Sequence, residues 1–129
     1  MKLLLITLAF ITTLFGADLD WPKDYKAALV QAKKQNKDVY MLITSQDCRW
    51  CRKFEATTLQ DEKTLERLKK QYVLLHIDRD WDEIPEHFKK KRVPRHYFLT
   101  SKGETIYSFL GYWNPEDFAS FLADVDKKR

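Results

Sequence analysis

Leu3 to Leu14 is an almost unbroken apolar run. After it the chain settles into blocks whose apolar spacing alternates between helical and strand-like. Asp20 and Pro22 predict a helix start, followed by the stripe Tyr25, Ala28, Leu29, Val30 and Ala32, which fades at Gln35-Asn36. Asp38–Thr44 reads as a buried strand, and Ser45-Gln46-Asp47 as a loop into a helix that begins at the cysteines. Thr57-Thr58 interrupts that helix, because β-branched residues lose rotamer freedom there. Asp61–Gln71 resumes helical spacing through Leu65 and Leu68. Tyr72–Asp78 predicts a second buried strand, residues 80–83 a loop, and 84–91 a short helix.

Arg95–Thr100 and Thr105–Gly111 predict two further strands joined by a turn in which Gly103 supplies the left-handed position. Asn114-Pro115-Glu116-Asp117 carries a cap, a proline at the first helical position and acids in the first turn. The stripe Phe118, Phe121, Leu122 and Val125 follows. Early strands alternating with helices imply parallel pairing, and the last two strands imply an antiparallel hairpin. The expected fold class is therefore α/β: one central mixed sheet with helices on both faces.

The apolar run behind Met1-Lys2 has the length and charge of an export signal, with small Gly16 and Ala17 beyond it. It is shorter than the roughly 20 apolar residues a membrane span needs. The expectation is a signal peptide over 1–16, cleaved after Gly16, with one domain over 17–129 and a periplasmic location. Retention as an anchor is the alternative. The 113 remaining residues suffice for one domain. Without Lys2, 22 cations face 19 acids, a net charge of +3. The run Lys89-Lys90-Lys91-Arg92 reads as a solvated helix end, and nothing else suggests nucleic acid.

Cys48 and Cys51 are the two cysteines. In an exported chain they could form a structural staple. A four-residue loop, however, gains only roughly 2 kcal/mol from closure, against about 4.7 for a 100-residue loop. Two thiols three residues apart at a helix start can close a disulfide and reopen it, and the helix N-terminus favours the thiolate. Arg49 pushes the same way, whereas Asp47 opposes a second anion. Dithiol–disulfide exchange is the leading reading.

The element order, the Cys48-Arg49-Trp50-Cys51 motif after a core strand, Val93-Pro94 before the hairpin, and Lys102-Gly103-Glu104 followed by Gly111 resemble the thioredoxin superfamily. The Cys-x-Trp-Cys form and the Lys53-Phe54-Glu55 after it are similar to exported bacterial members and to the C-terminal domains of membrane thiol reductants. The resemblance implies a thioredoxin-like fold with Cys48 as exposed nucleophile and Cys51 as buried resolving thiol. It also implies a cis Pro94, with Val93 offering its backbone to an extended client. Leu42 and Leu74 stand where thioredoxins carry a buried acid and a lysine, so deprotonation of Cys51 needs another route.

Trp50 reads either as an apolar platform for a client or as packed on a nearby loop. Trp21, Trp81 and Trp113 read as core or rim residues. His96 is a candidate for proton transfer, His76 reads as a satisfied core residue, and Glu55 reads as a helix-surface partner of Arg52 or Lys53, or a proton relay. The expected function is an exported thiol–disulfide oxidoreductase that reduces client disulfides and is recharged by a membrane thiol reductant. It is expected to be a monomer without cofactor or metal. The alternatives are an oxidase or isomerase of the same fold, or a Cu(I) or Zn carrier using the cysteine pair.

Overall fold

A computed structural model describes residues 19–129. The expected signal segment and its cleavage point lie outside the described residues. Among the described residues no helix is long and apolar enough to cross a membrane.

The first helix, α1, runs Tyr25–Gln35, capped by Asp24, whose Oδ1 accepts the Ala27 N–H at 3.0 Å. The expected start at Asp20 is displaced for a tertiary reason. The Pro22 carbonyl accepts the His76 N–H at 2.9 Å, which commits the preceding segment to the flank of a strand. Val30, expected in the apolar stripe, is 55% exposed; Ala28 and Ala32 make the buried face. The strands β1 (Asp38–Thr44) and β2 (Tyr72–Asp78) pair in parallel. Between them lie α2 (Arg49–Ala56), a 3-10 turn at Thr58–Gln60 and α3 (Glu62–Gln71). The break after Ala56 is secured by side chains: Thr57 Oγ1 donates to the Lys53 carbonyl and Thr58 Oγ1 to the Trp113 carbonyl, each at 2.6 Å.

β3 (Arg95–Leu99) pairs antiparallel with β1, and β4 (Thr105–Leu110) with β3, giving the order β2-β1-β3-β4. The turn between β3 and β4 needs Gly103 twice over. Its φ is +84°, and an added Cβ would lie 2.5 Å from the Tyr25 hydroxyl. The last helix, α4 (Pro115–Lys128), begins as expected: Asn114 Oδ1 accepts the Asp117 N–H at 2.9 Å. The predicted helix over 84–91 is reduced to a single 3-10 turn, Glu86–Phe88. Ile84 and Phe88 are drawn into the core.

Strand alternation splits the core in two. Val39, Met41, Ile43, Leu75 and Ile77 face α1 and Phe88. Tyr40, Leu42, Tyr72 and Phe98 face α2, α3 and α4 through Phe54, Leu68, Phe118 and Leu122. Phe121 is only half-buried and stacks on Phe109 with centroids 4.1 Å apart. Trp81, expected at the core or rim, is 77% exposed, because the turn after β2 carries it outward.

His96 is fully buried. Its Nε2 lies 2.8 Å from the Gly111 carbonyl, which can only accept, so Nε2 carries the proton. Nδ1 then accepts from the Tyr40 hydroxyl at 2.7 Å. A neutral ring is fully satisfied, and burial pushes its pKa from 6.5 down to about 4. Below pH 6.5 the unfolded chain therefore takes up a proton that the folded chain refuses, and stability falls until the folded ring also protonates near 4. From His96 alone this amounts to about 3 kcal/mol. Urea unfolding between pH 7 and 4 should show this loss, and His96→Gln should flatten the slope. An unchanged slope in that variant would refute the assignment.

Candidate active site

Cys48 is the N-cap of α2. Its backbone is extended (φ −133°, ψ 98°), its carbonyl accepts the Arg52 N–H at 3.1 Å, and its Sγ accepts the Cys51 N–H, also at 3.1 Å. The sulfur thus occupies the place where a Ser or Asp side chain would satisfy an orphan helix donor. Cys48 and Cys51 are joined in a disulfide, with Cα atoms 5.2 Å apart. Their exposures differ: Cys48 is half-buried and Cys51 fully buried.

The approach loop is held from three sides. Arg52 donates to the Ser45 carbonyl at 2.9 Å, the Gln46 N–H to Asp80 at 3.4 Å, and the Gln46 side chain to Asp78. Opposite the sulfur, the Val93–Pro94 peptide is cis. The Val93 carbonyl oxygen lies 3.8 Å from Cys48 Sγ, and the Pro94 carbonyl accepts the Gly111 N–H at 2.8 Å. These parts surround an open groove of about 700 Å3.

The groove gathers Asp47, Cys48, Arg49, Trp50, Val93 and Pro94, which are all the predicted site positions except Cys51, which lies behind them. Neither Arg95 nor His96 lines it. His96 is committed to Tyr40 and Gly111, which removes it as a proton carrier for the cysteines. Trp50 is both exposed and packed: 48% exposed, it sits with its ring centroid 5.9 Å from that of Tyr112. Arg49 lies 5.2 Å from the Trp50 centroid, and Lys53 lies 5.2 Å from Trp50 and 4.7 Å from Tyr112. Tyr112 escaped the sequence reading because β4 brings it to α2 across some sixty residues. Arg79, Lys91 and Arg92 also line the groove, although the basic run containing the last two reads as solvated surface.

Glu55, read as a helix-surface residue, is buried at 4% exposure. Its carboxylate lies 3.4 Å from Arg52 Nε and 3.4 Å from His76 Nε2. The Thr44 hydroxyl is 2.8 Å from the same His76 nitrogen, while the buried Nδ1 has no hydrogen-bond partner among the described residues. Burial first, then Lys23 and Arg52, push His76 down to about 4. At neutral pH the imidazole beside the Glu55 carboxyl group is therefore neutral. Leu42 is fully buried and Leu74 partly so, and both belong to this side of the sheet. The polar groups beneath the active-site helix are thus Thr44, Glu55 and His76. Among the described residues no group of three or more His, Cys, Asp or Glu is arranged to hold a metal ion.

A half-buried sulfur bonded to a buried one at a helix start can exchange its disulfide with another. This fold and pair define a thiol–disulfide oxidoreductase of thioredoxin type. Residues 25–126 match the thioredoxin-like domain, and the chain belongs to that family. Anterior gradient protein 3 of Xenopus tropicalis is 22% identical over 120 residues, covering 88% of this chain and 73% of that protein. Spermatogenesis-associated protein 20 of Rattus norvegicus is 29% identical over 110 residues, 77% of this chain but only 14% of that protein. A thioredoxin from Thermus thermophilus superposes with a TM-score of 0.68 at 21% identity, covering 81% of this chain and 84% of that one. DsbH oxidoreductase gives 0.67 at 20%, covering 87% of each chain. The oxidised DsbD C-terminal domain of Neisseria meningitidis gives 0.64 at 20%, covering 81% and 97%.

The cap geometry makes a direct prediction. In Cys51→Ser the residue-51 N–H remains, and the Cys48 thiol should titrate below the roughly 8.5 of free cysteine. The pH dependence of its alkylation by iodoacetamide measures this. A midpoint at or above the free value would show that the cap does not stabilise the thiolate.

Proposed function

We propose that the protein is exported and reduces disulfides of client proteins in the periplasm, with a membrane thiol reductant restoring its dithiol. The observation that carries the reading is the inequality of the two sulfurs. Cys48 opens into a groove beside Val93 and Pro94, and Cys51 is sealed behind it. In the reduced protein the Cys48 thiolate attacks one client sulfur and the other leaves as a thiolate. Cys51, on losing its proton, then attacks Cys48 Sγ and frees the second client thiol. Two electrons pass to the client, and the Cys48–Cys51 bond re-forms.

Trp50 and the Val93 backbone flank the client, and Arg49 and Asp47 set the charge at the attacking sulfur. Glu55, one turn beyond Cys51 on the same buried helix face, is the candidate acceptor for the Cys51 proton. Export rests on the apolar run Leu3 to Leu14 behind Lys2. The reductant as donor is suggested by the fold shared with the DsbD C-terminal domain.

A second reading, client oxidation, is favoured by the cap itself. Whatever stabilises the Cys48 thiolate stabilises the reduced protein and makes its disulfide more oxidising. Redox titration separates the two. A potential near the thioredoxin value of about −270 mV supports reduction, and one near about −120 mV supports oxidation. Cys51→Ser, expressed in its own compartment, should accumulate client mixed disulfides that Cys48→Ser lacks. If Cys51→Ser captures no partner, the exchange reading fails.

A further inference from the structure

The groove beside Cys48 is strongly polarised. Arg49, Arg79, Lys91 and Arg92 line it against a single carboxylate, Asp47. That excess of three positive charges equals the net charge of all of residues 17–129. The chain thus holds at one opening an imbalance that is cancelled elsewhere on its surface.

The cations are also placed. Arg79 Nη1 donates to the Lys91 carbonyl, which ties that residue to the groove wall, and Arg95 Nε, at the start of β3, donates to the Arg92 carbonyl at 3.3 Å. Arg79 Nε lies 3.5 Å from Asp80, which offsets part of its charge. Arg49, Lys91 and Arg92 make no ion pair among the described residues. Arg49 instead lies over the Trp50 ring, 5.2 Å from its centroid. Lys53 sits between Trp50 and Tyr112 and adds a further cation to that rim.

We infer that this groove selects clients by charge: an extended protein segment whose disulfide-bonded cysteine is flanked by Asp or Glu. The inference rests on the exchange reading above and names its substrate class. A segment in this groove would meet Arg49 beside Trp50 on α2, and Lys91 and Arg92 in the residues that precede Val93. An acidic flank meets cations in either place. A basic flank meets like charge, which raises the encounter barrier. A groove lined by one sign of charge raises the rate of association with the opposite sign by roughly ten- to a thousandfold, and salt erodes that gain.

The test uses three disulfide peptides of one length, with Glu, Gln or Lys on either side of the cysteine. Single-turnover reduction by the reduced protein is divided by the rate with dithiothreitol, which removes each peptide's intrinsic reactivity. At low salt the Glu peptide should exceed the Lys peptide by about tenfold or more, with Gln between them. The spread should collapse at high salt. The double variant Lys91→Glu, Arg92→Glu should reverse the order. Should that variant not fold, the salt series on the unaltered chain decides. Equal normalised rates for all three peptides would overturn the charge selection while leaving exchange intact. Failure to reduce any of them would overturn the exchange reading beneath it.

Discussion

The site depends on one hydrogen bond, from the Cys51 N–H to Cys48 Sγ at 3.1 Å. It makes the sulfur proposed as the nucleophile a helix cap as well. A helix start presents unsatisfied N–H groups and the positive end of its dipole, and a thiolate answers both. Formation of α2 and charging of Cys48 therefore favour each other. An eight-residue helix is marginal by itself. Phe54 and Glu55 anchor it from below, and Ser45 and Gln46 fix its approach. The sheet is the platform that holds this end of the helix against Val93 and Pro94.

Beneath the helix the polar groups gather on one side of the sheet. Leu42 and Leu74 supply apolar surface, while Thr44, Glu55 and His76 lie together at the carboxyl ends of β1 and β2. Glu55, with almost no exposure, has Arg52 and the His76 imidazole beside its carboxyl group. The other buried histidine, His96, has a separate task. It links Tyr40 in β1 to Gly111 at the lip of the groove, so the core of the second sheet face extends to the rim where a client would lie.

Much of the fold was legible in residue order. β1 and β2 match their apolar runs residue for residue, and Asp61 and Asn114 cap the helices they were expected to start. The two misplaced elements share a cause. The start of α1 is moved by a hydrogen bond that the Pro22 carbonyl accepts from a strand fifty residues away, and the 84–91 helix is unwound by core contacts of Ile84 and Phe88. Neither contact leaves a local trace. In the site, the cysteines, Trp50, Val93 and Pro94 stood out as motifs, whereas Tyr112 and the Arg79–Lys91–Arg92 wall did not. A motif is a property of neighbours in the chain, and a groove wall is assembled from distant segments.

By itself the sequence determined the periodicities, the caps at Asp61 and Asn114, the turn glycine and the presence of two thiols at a helix start, because each is set by sterics and hydrogen bonding over a few residues. Tertiary structure alone decided that one sulfur is reachable and the other sealed. It alone buried Glu55 against His76, exposed Trp81 and turned Lys91 and Arg92 toward the disulfide. Burial and electrostatic environment are sums over neighbours in space. The chain supplies those neighbours only after the sheet has brought them together.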